Sequence, residues 1–193
     1  VIYNYTKAMN REGLQLYFLT YGDLKPVLRE RFEALGEILF TADRKQSTVG
    51  YMKDYVALLK KHRFDVVHIH GNSGTMLIEV LLAKLCGVKT VMVQAHSTRT
   101  NHPFVNWVLK KPMMWLVSEC VASSEASGQW LYGNHPYTLL NNAIELDSFR
   151  FDPAARERYR EEFGIKEDIK HGNRFLVAHR LCFDVLFDDS GIQ

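Results

Sequence analysis

Two histidines stand one residue apart in Asp65-Val66-Val67-His68-Ile69-His70-Gly71, and a third follows Val91-Met92-Val93-Gln94-Ala95 at His96. Each stretch is an apolar, β-branched run that stops abruptly in groups able to give or take a proton. Alternation along a strand puts His68 and His70 on one side. Imidazoles so placed can orient a hydroxyl, meet a phosphate oxygen or, in a cluster, ligate a metal. Packing alone has no use for the cluster His96-Ser97-Thr98. Beyond His70, the run Gly71-Asn72-Ser73-Gly74 sets two glycines and two polar side chains ahead of a helix. Glycines there let a ligand reach the backbone, and the free amides of a helix start favour a phosphate or a sugar hydroxyl. A capped turn with glycine for tight geometry is the plainer alternative. In Ala122-Ser123-Ser124-Glu125, likewise, Ser124 and Glu125 either touch a ligand or serve as an N-cap and an acidic first turn.

Strand and helix patterns that alternate along the chain position these groups. Helices are expected over 1–10, 24–35, 49–62, 76–86, 104–116, 125–132 and 153–163, with strands over 14–20, 37–41, 65–71, 89–95, 120–123 and 137–140. Gly36 and Gly87 follow helices, where a left-handed cap suits glycine. In the helix over 49–62, Met52, Tyr55, Val56 and Leu59 share one face. Ser73 and Thr75 can cap the helix that follows them. Pro112 should interrupt the helix over 104–116. Such alternation means an α/β domain with a Rossmann-like, doubly wound parallel sheet, its strands buried on both faces. In open sheets of this kind ligands bind past the carboxyl ends of the strands, where the polar clusters fall.

Charge narrows the partners. With 24 Lys+Arg against 22 Asp+Glu the formal net charge is +2, which gives no basic footprint for nucleic acid. Lys60, Lys61, His62 and Arg63 read as a helix end whose cations suit the dipole. Cys86, Cys120 and Cys182 are scattered and form no CxxC pair, as expected of free thiols in a reducing compartment. No apolar run reaches the ~18 residues of a spanning helix, so the cytoplasm is the expected location.

Taken in order, DVVHIHG at 65–71, VKTVMVQAHST at 88–98, VASSEASGQWLYG at 121–133 and TLLNNAIELDSFRFDPAARERYREEFGI at 138–165 resemble the N-terminal half of the family 4 glycosyltransferases. These are retaining enzymes of the two-domain GT-B architecture, and the flavour is that of bacterial exopolysaccharide and capsule transferases. The resemblance covers about residues 1–165. It implies an acceptor-side domain over 1–150; a charged helix and linker follow over 151–170, and the tail over 171–193 is unassigned, with 174–181 a candidate first strand of the donor domain. It also implies a strand and glycine-rich loop ahead of Val1. By position, His96 matches the family's histidine facing the donor sugar, with Gly71, Asn72, Ser73, Gly74, Ser97, Ser124 and Glu125 around the cleft. The implied partners are a nucleotide-sugar, held mostly by the other domain, and a glycan or lipid-linked acceptor. The implied reaction retains anomeric configuration and uses no metal or other cofactor. This half alone is expected to be inactive.

Other readings stay open. The chain can be the acceptor-binding subunit of a split transferase. His68, His70, His96 and His102 can make a nitrogen-rich zinc site of a metal-dependent hydrolase. A dinucleotide-binding protein is disfavoured, since no GxGxxG occurs. Finally, Phe104-Val105-Asn106-Trp107-Val108-Leu109-Lys110-Lys111-Pro112-Met113-Met114-Trp115-Leu116 is either a core helix or one that lies in a membrane interface. The latter would suit peripheral contact with the inner face of the membrane.

Overall fold

A computed structural model describes residues 2–21, 24–146 and 150–165. Two compact units divide the chain, 1–145 and 146–193. The tail over 171–193 and the candidate strand over 174–181 lie outside the described residues.

In the first unit the elements run α1 (Ile2–Ala8), β1 (Tyr17–Tyr21), α2 (Pro26–Glu33), β2 (Glu37–Thr41), α3 (Thr48–His62), β3 (Val66–Gly71), a single 3₁₀ turn (Gly74–Met76), α4 (Leu77–Leu85), β4 (Thr90–Ala95), α5 (Pro103–Leu116), β5 (Glu119–Ala122), α6 (Glu125–Tyr132) and β6 (Thr138–Leu139). All strand pairs are parallel. The second unit contributes α7 (Pro153–Glu162). Asp152 caps it, accepting from the amides of Ala154 and Ala155.

The sheet expected as one is two. β1 pairs with β2, and β3-β4-β5-β6 form a second sheet in sequence order. Among the described residues no ladder joins them. Tyr17 of β1 instead packs its ring on His62 and Phe64, at centroid distances of 4.9 and 5.2 Å, where α3 runs into β3. One edge of β3 therefore has no ladder partner among the described residues, and Val66 and His68 are exposed along it. The expectation of strands buried on both faces fails there and holds only for the carboxyl end of β4, where Val93, Gln94 and Ala95 are all buried.

The core lies between β3, β4 and β5 and the row α3, α4, α5, α6, each helix in contact with the next. Val91, Val93 and Ala95 of β4 are sealed into it, along with Val80 and Ala83 of α4, Met113 of α5 and Leu131 of α6. On α3 the buried stripe is Tyr51, Tyr55 and Leu59, one turn apart, with Met52 and Val56 at its margin. Tyr55 and Leu59 fall on the expected face, and Tyr51 joins them where Met52 and Val56 are only partly buried.

Two local expectations are corrected. Gly36 does not adopt a left-handed cap; α2 ends at Ala34 in right-handed geometry. A Cβ at Gly36 would stand 2.3 Å from the carbonyl oxygen of Leu16, so close backbone approach explains the glycine. Gly87 does have positive φ, at 85°. Pro112 does not break α5, which runs unbroken through it. Its ring costs the hydrogen bond to Val108, a carbonyl on the exposed side of the helix.

Candidate functional site

β3 and β4 end side by side, with His70 opposite Gln94 and Gly71 opposite Ala95. The amide of His96 carries the ladder one step further, donating to the Gly71 carbonyl at 3.3 Å. This brings the rings of His70 and His96 together, with Nδ1 of the first 2.9 Å from Nε2 of the second. His68 packs its ring on His70, centroids 4.2 Å apart. The three histidines thus form a row that reaches the carboxyl end of the sheet, on the side away from the core residues Val91, Val93 and Ala95.

Burial holds His70 well below the ordinary imidazole range, and His68 and His96 add like-charge repulsion. His96 is lowered chiefly by burial. His68, exposed at the open edge but with its ring packed on His70, is lowered too, by the solvent that this packing displaces first and by His96 second. All three are therefore neutral near pH 7. A neutral imidazole has one N–H, so within the His70–His96 contact one ring donates and the other accepts. Among the described residues, no group of three or more His, Cys, Asp or Glu side chains is arranged to hold a metal.

Oδ1 of Asn72, two residues after His70 in sequence, and Nε2 of Gln94, which stands opposite His70 in the ladder, are buried without a partner. Such an atom costs about 1–3 kcal/mol when unpaired. Gly71 and Asn72 are partly exposed, whereas Ser73 and Gly74 are buried. Ser73 caps the 3₁₀ turn through the Thr75 amide. Gly74 donates its amide to Oδ1 of Asn106 at 2.7 Å, and a Cβ on it would stand 2.5 Å from the Lys110 nitrogen. Its glycine is thus explained by contact with α5. A Cβ on Gly71 would meet only the flexible Met76 side chain. Ser97 is partly exposed and exchanges weak contacts with the backbone of Arg99.

Ser124 caps α6 in a reciprocal box with Ser127, each hydroxyl accepting from the other's amide. Ser127, which the sequence reading passed over, is buried and sits 3.3 Å from the Ala95 carbonyl, tying α6 to the end of β4. Its spacing of three from Ser124 was the available signal. Glu125 is exposed and lines an open groove with Ala126, Gln129, Tyr137 and Leu139.

A second groove, also unanticipated, gathers Tyr21, Asp43, Arg44, Lys45, Thr48, Thr75 and His102. Arg44 is held in its wall by Glu79 at 2.6 Å and by the Thr75 carbonyl at 3.3 Å. No local pattern foretells a pair 35 residues apart.

A family model described as Glycosyltransferase Family 4 matches residues 1–148. Among solved structures, the chain is similar to Anabaena Alr3699/HepE, crystallised with UDP and glucose, at 14% identity and a TM-score of 0.55, over 76% of this chain and 42% of that one. It is also similar to MurG of Acinetobacter baumannii, at 12% identity and a TM-score of 0.47, over 72% and 40%. The chain thus spans about two-fifths of the length of these structures. No curated protein matches the sequence.

Proposed function

This chain belongs to glycosyltransferase family 4, and from that premise we propose that it is the acceptor-side half of a retaining transferase. That enzyme moves a sugar from a nucleotide-sugar to a glycan or lipid-linked acceptor of surface polysaccharide synthesis. The observation that carries the reading is the contact of His70 with His96 at the carboxyl end of β3 and β4.

His96 faces the transferred sugar and offers one hydrogen bond from a neutral ring; it does not serve as a strong base. Asn72, Gly71 and Ser97 line the same cleft, with Ser124 and Glu125 further along the strand ends. The groove of Arg44, Thr75 and His102 lies on the acceptor side. The acceptor oxygen attacks the anomeric carbon on the face the diphosphate leaves, and a leaving phosphate oxygen takes the proton. The contribution of these residues is positioning and charge stabilisation. Donor recognition rests mostly with a second domain, so the chain alone turns over no sugar. The protein acts on the cytoplasmic side.

A panel of nucleotide-sugars, offered to the chain alone and together with a family 4 donor domain, tests this. Transfer is expected only in the second case, with the donor's anomeric configuration kept in the product as read from proton couplings. An inverted product would overturn retention. Failure of every nucleotide-sugar, with nucleotide binding to the donor domain intact, would overturn the transferase reading.

A further inference from the structure

The helix α5 carries a surface that the transfer reaction does not use. Phe104, Trp107 and Trp115 are 73, 67 and 80% exposed, unusual values for such large apolar side chains. With Val108 and Lys111 they recur at i, i+3, i+4, i+7 and i+11, inside an arc of about 100° on a 3.6-residue helix. The buried residues of α5, Asn106 and Met113, lie on the opposite side. The orientation is fixed, because Asn106 grips the Gly74 amide and the backbone of Lys110 abuts Gly74. The neighbouring α4 adds Leu85, also exposed.

We propose that this face of α5 docks on an anionic lipid bilayer. Composition favours that occupant over a protein. The helix has two of the chain's 3 tryptophans and no acidic residue, with Lys111 on the exposed face and Lys110 at its flank. Protein interfaces are depleted in lysine. Helices that lie in a membrane interface combine tryptophan and phenylalanine with lysine, which reaches anionic headgroups while its stem stays in the apolar layer. The face is about 16 Å long from Phe104 to Trp115 at 1.5 Å per residue. Its other side touches the turn that follows His70, so the bilayer would lie about one helix diameter, ~10 Å, from the cleft. That distance suits an acceptor with a lipid tail; this last step rests on the transferase reading, and the docking itself does not.

Flotation of the full chain with phosphatidylcholine vesicles, with and without phosphatidylglycerol, is the test. The chain is expected to float with the anionic vesicles and to sink with the neutral ones. Trp107→Glu/Trp115→Glu, both at exposed positions, should lower the partition coefficient by about tenfold or more. Without any substitution, brominated lipid should quench the tryptophan emission. Failure to float with either vesicle, or flotation and quenching that the double variant leaves unchanged, would overturn the proposal. So would a sedimentation shift from dimer to monomer in the double variant without vesicle binding by the parent, since the face would then join two copies. Docking that persists while no sugar is transferred would leave this surface standing and remove only the lipid-linked acceptor.

Discussion

Nδ1 of His70 and Nε2 of His96 meet at 2.9 Å across the ends of two parallel strands, so the tautomer of each ring is set by the other. If His96 donates in this contact, its Nδ1 is left an acceptor; if it accepts, its Nδ1–H is left to donate. Long-range nitrogen–proton spectra should show one neutral tautomer for His96, and His70→Phe should convert it to a mixture. In the reconstituted enzyme, His96→Ala is expected to lower kcat about 100-fold, the scale of one preorganised hydrogen-bond partner. His70→Asn, which keeps a polar atom near Nδ1, should lose far less than His70→Phe. Equal losses in the two would show that His70 only fills space.

The same burial fixes a sign for pH. His70 has a folded pKa far below the unfolded value of about 6.5, from burial first and from His68 and His96 next. Above that value both states are neutral and the stabilisation is complete. As pH falls below it, the unfolded chain takes a proton that the native ring refuses, and stability drops by about 1.4 kcal/mol per pH unit for this group. Urea midpoints between pH 7.5 and 5.5 should therefore fall, and His70→Asn should flatten the slope by about one proton. A midpoint independent of pH in this window would mean that the ring is solvated.

Local chemistry was readable from the sequence where it is local in space. β2 and α6 fall on the expected 37–41 and 125–132, because turn residues and the Ser124 cap mark their ends within a few positions. The rule that ligands gather at strand ends singled out His96, but its contact with His70 was not foreseen outside the zinc-site alternative, because it depends on the register between β3 and β4. What could not be read depends on partners far along the chain. Gly36 and Gly74 look like a cap and a ligand loop; their reasons are Leu16 and the backbone of α5. The division into two sheets is a matter of which strand edges meet, and strand patterning is silent on that. Whether α5 faces the core or solvent was likewise open, since its apolar residues surround the helix and only its packing on Gly74 decides.

Gly74→Ala tests the packing role. The added Cβ would stand 2.5 Å from one backbone atom of α5, Lys110 N, and 2.9 Å from another, Leu109 C. Backbone cannot step aside as a side chain can, so the turn must shift and the bond from Gly74 to Asn106 must stretch. A loss of about 2–3 kcal/mol is expected in urea titration. Gly71→Ala, which meets only the end of Met76, should cost clearly less. Reversal of that order would mean that the Gly71 end of the loop is the tighter one.

Arg44 and Glu79 should respond asymmetrically. Glu79 is nearly buried, its side chain 9% exposed against 31% for Arg44. Arg44→Ala would leave a buried carboxylate with neither of its oxygens bonded to the guanidinium, at a cost of about 2–3 kcal/mol, reduced from the fully buried case by the partial exposure of the pair. Glu79→Gln leaves a cation that can still bond the Thr75 carbonyl and reach water, and should cost about 1 kcal/mol. Replacing both, as Arg44→Met/Glu79→Leu, removes the charge problem and should recover most of the loss. The same double variant empties one wall of the groove shared with Thr75 and His102. If that groove holds the acceptor, KM for the acceptor should rise in the reconstituted enzyme while stability returns. Recovery of stability with KM unchanged would place the acceptor elsewhere.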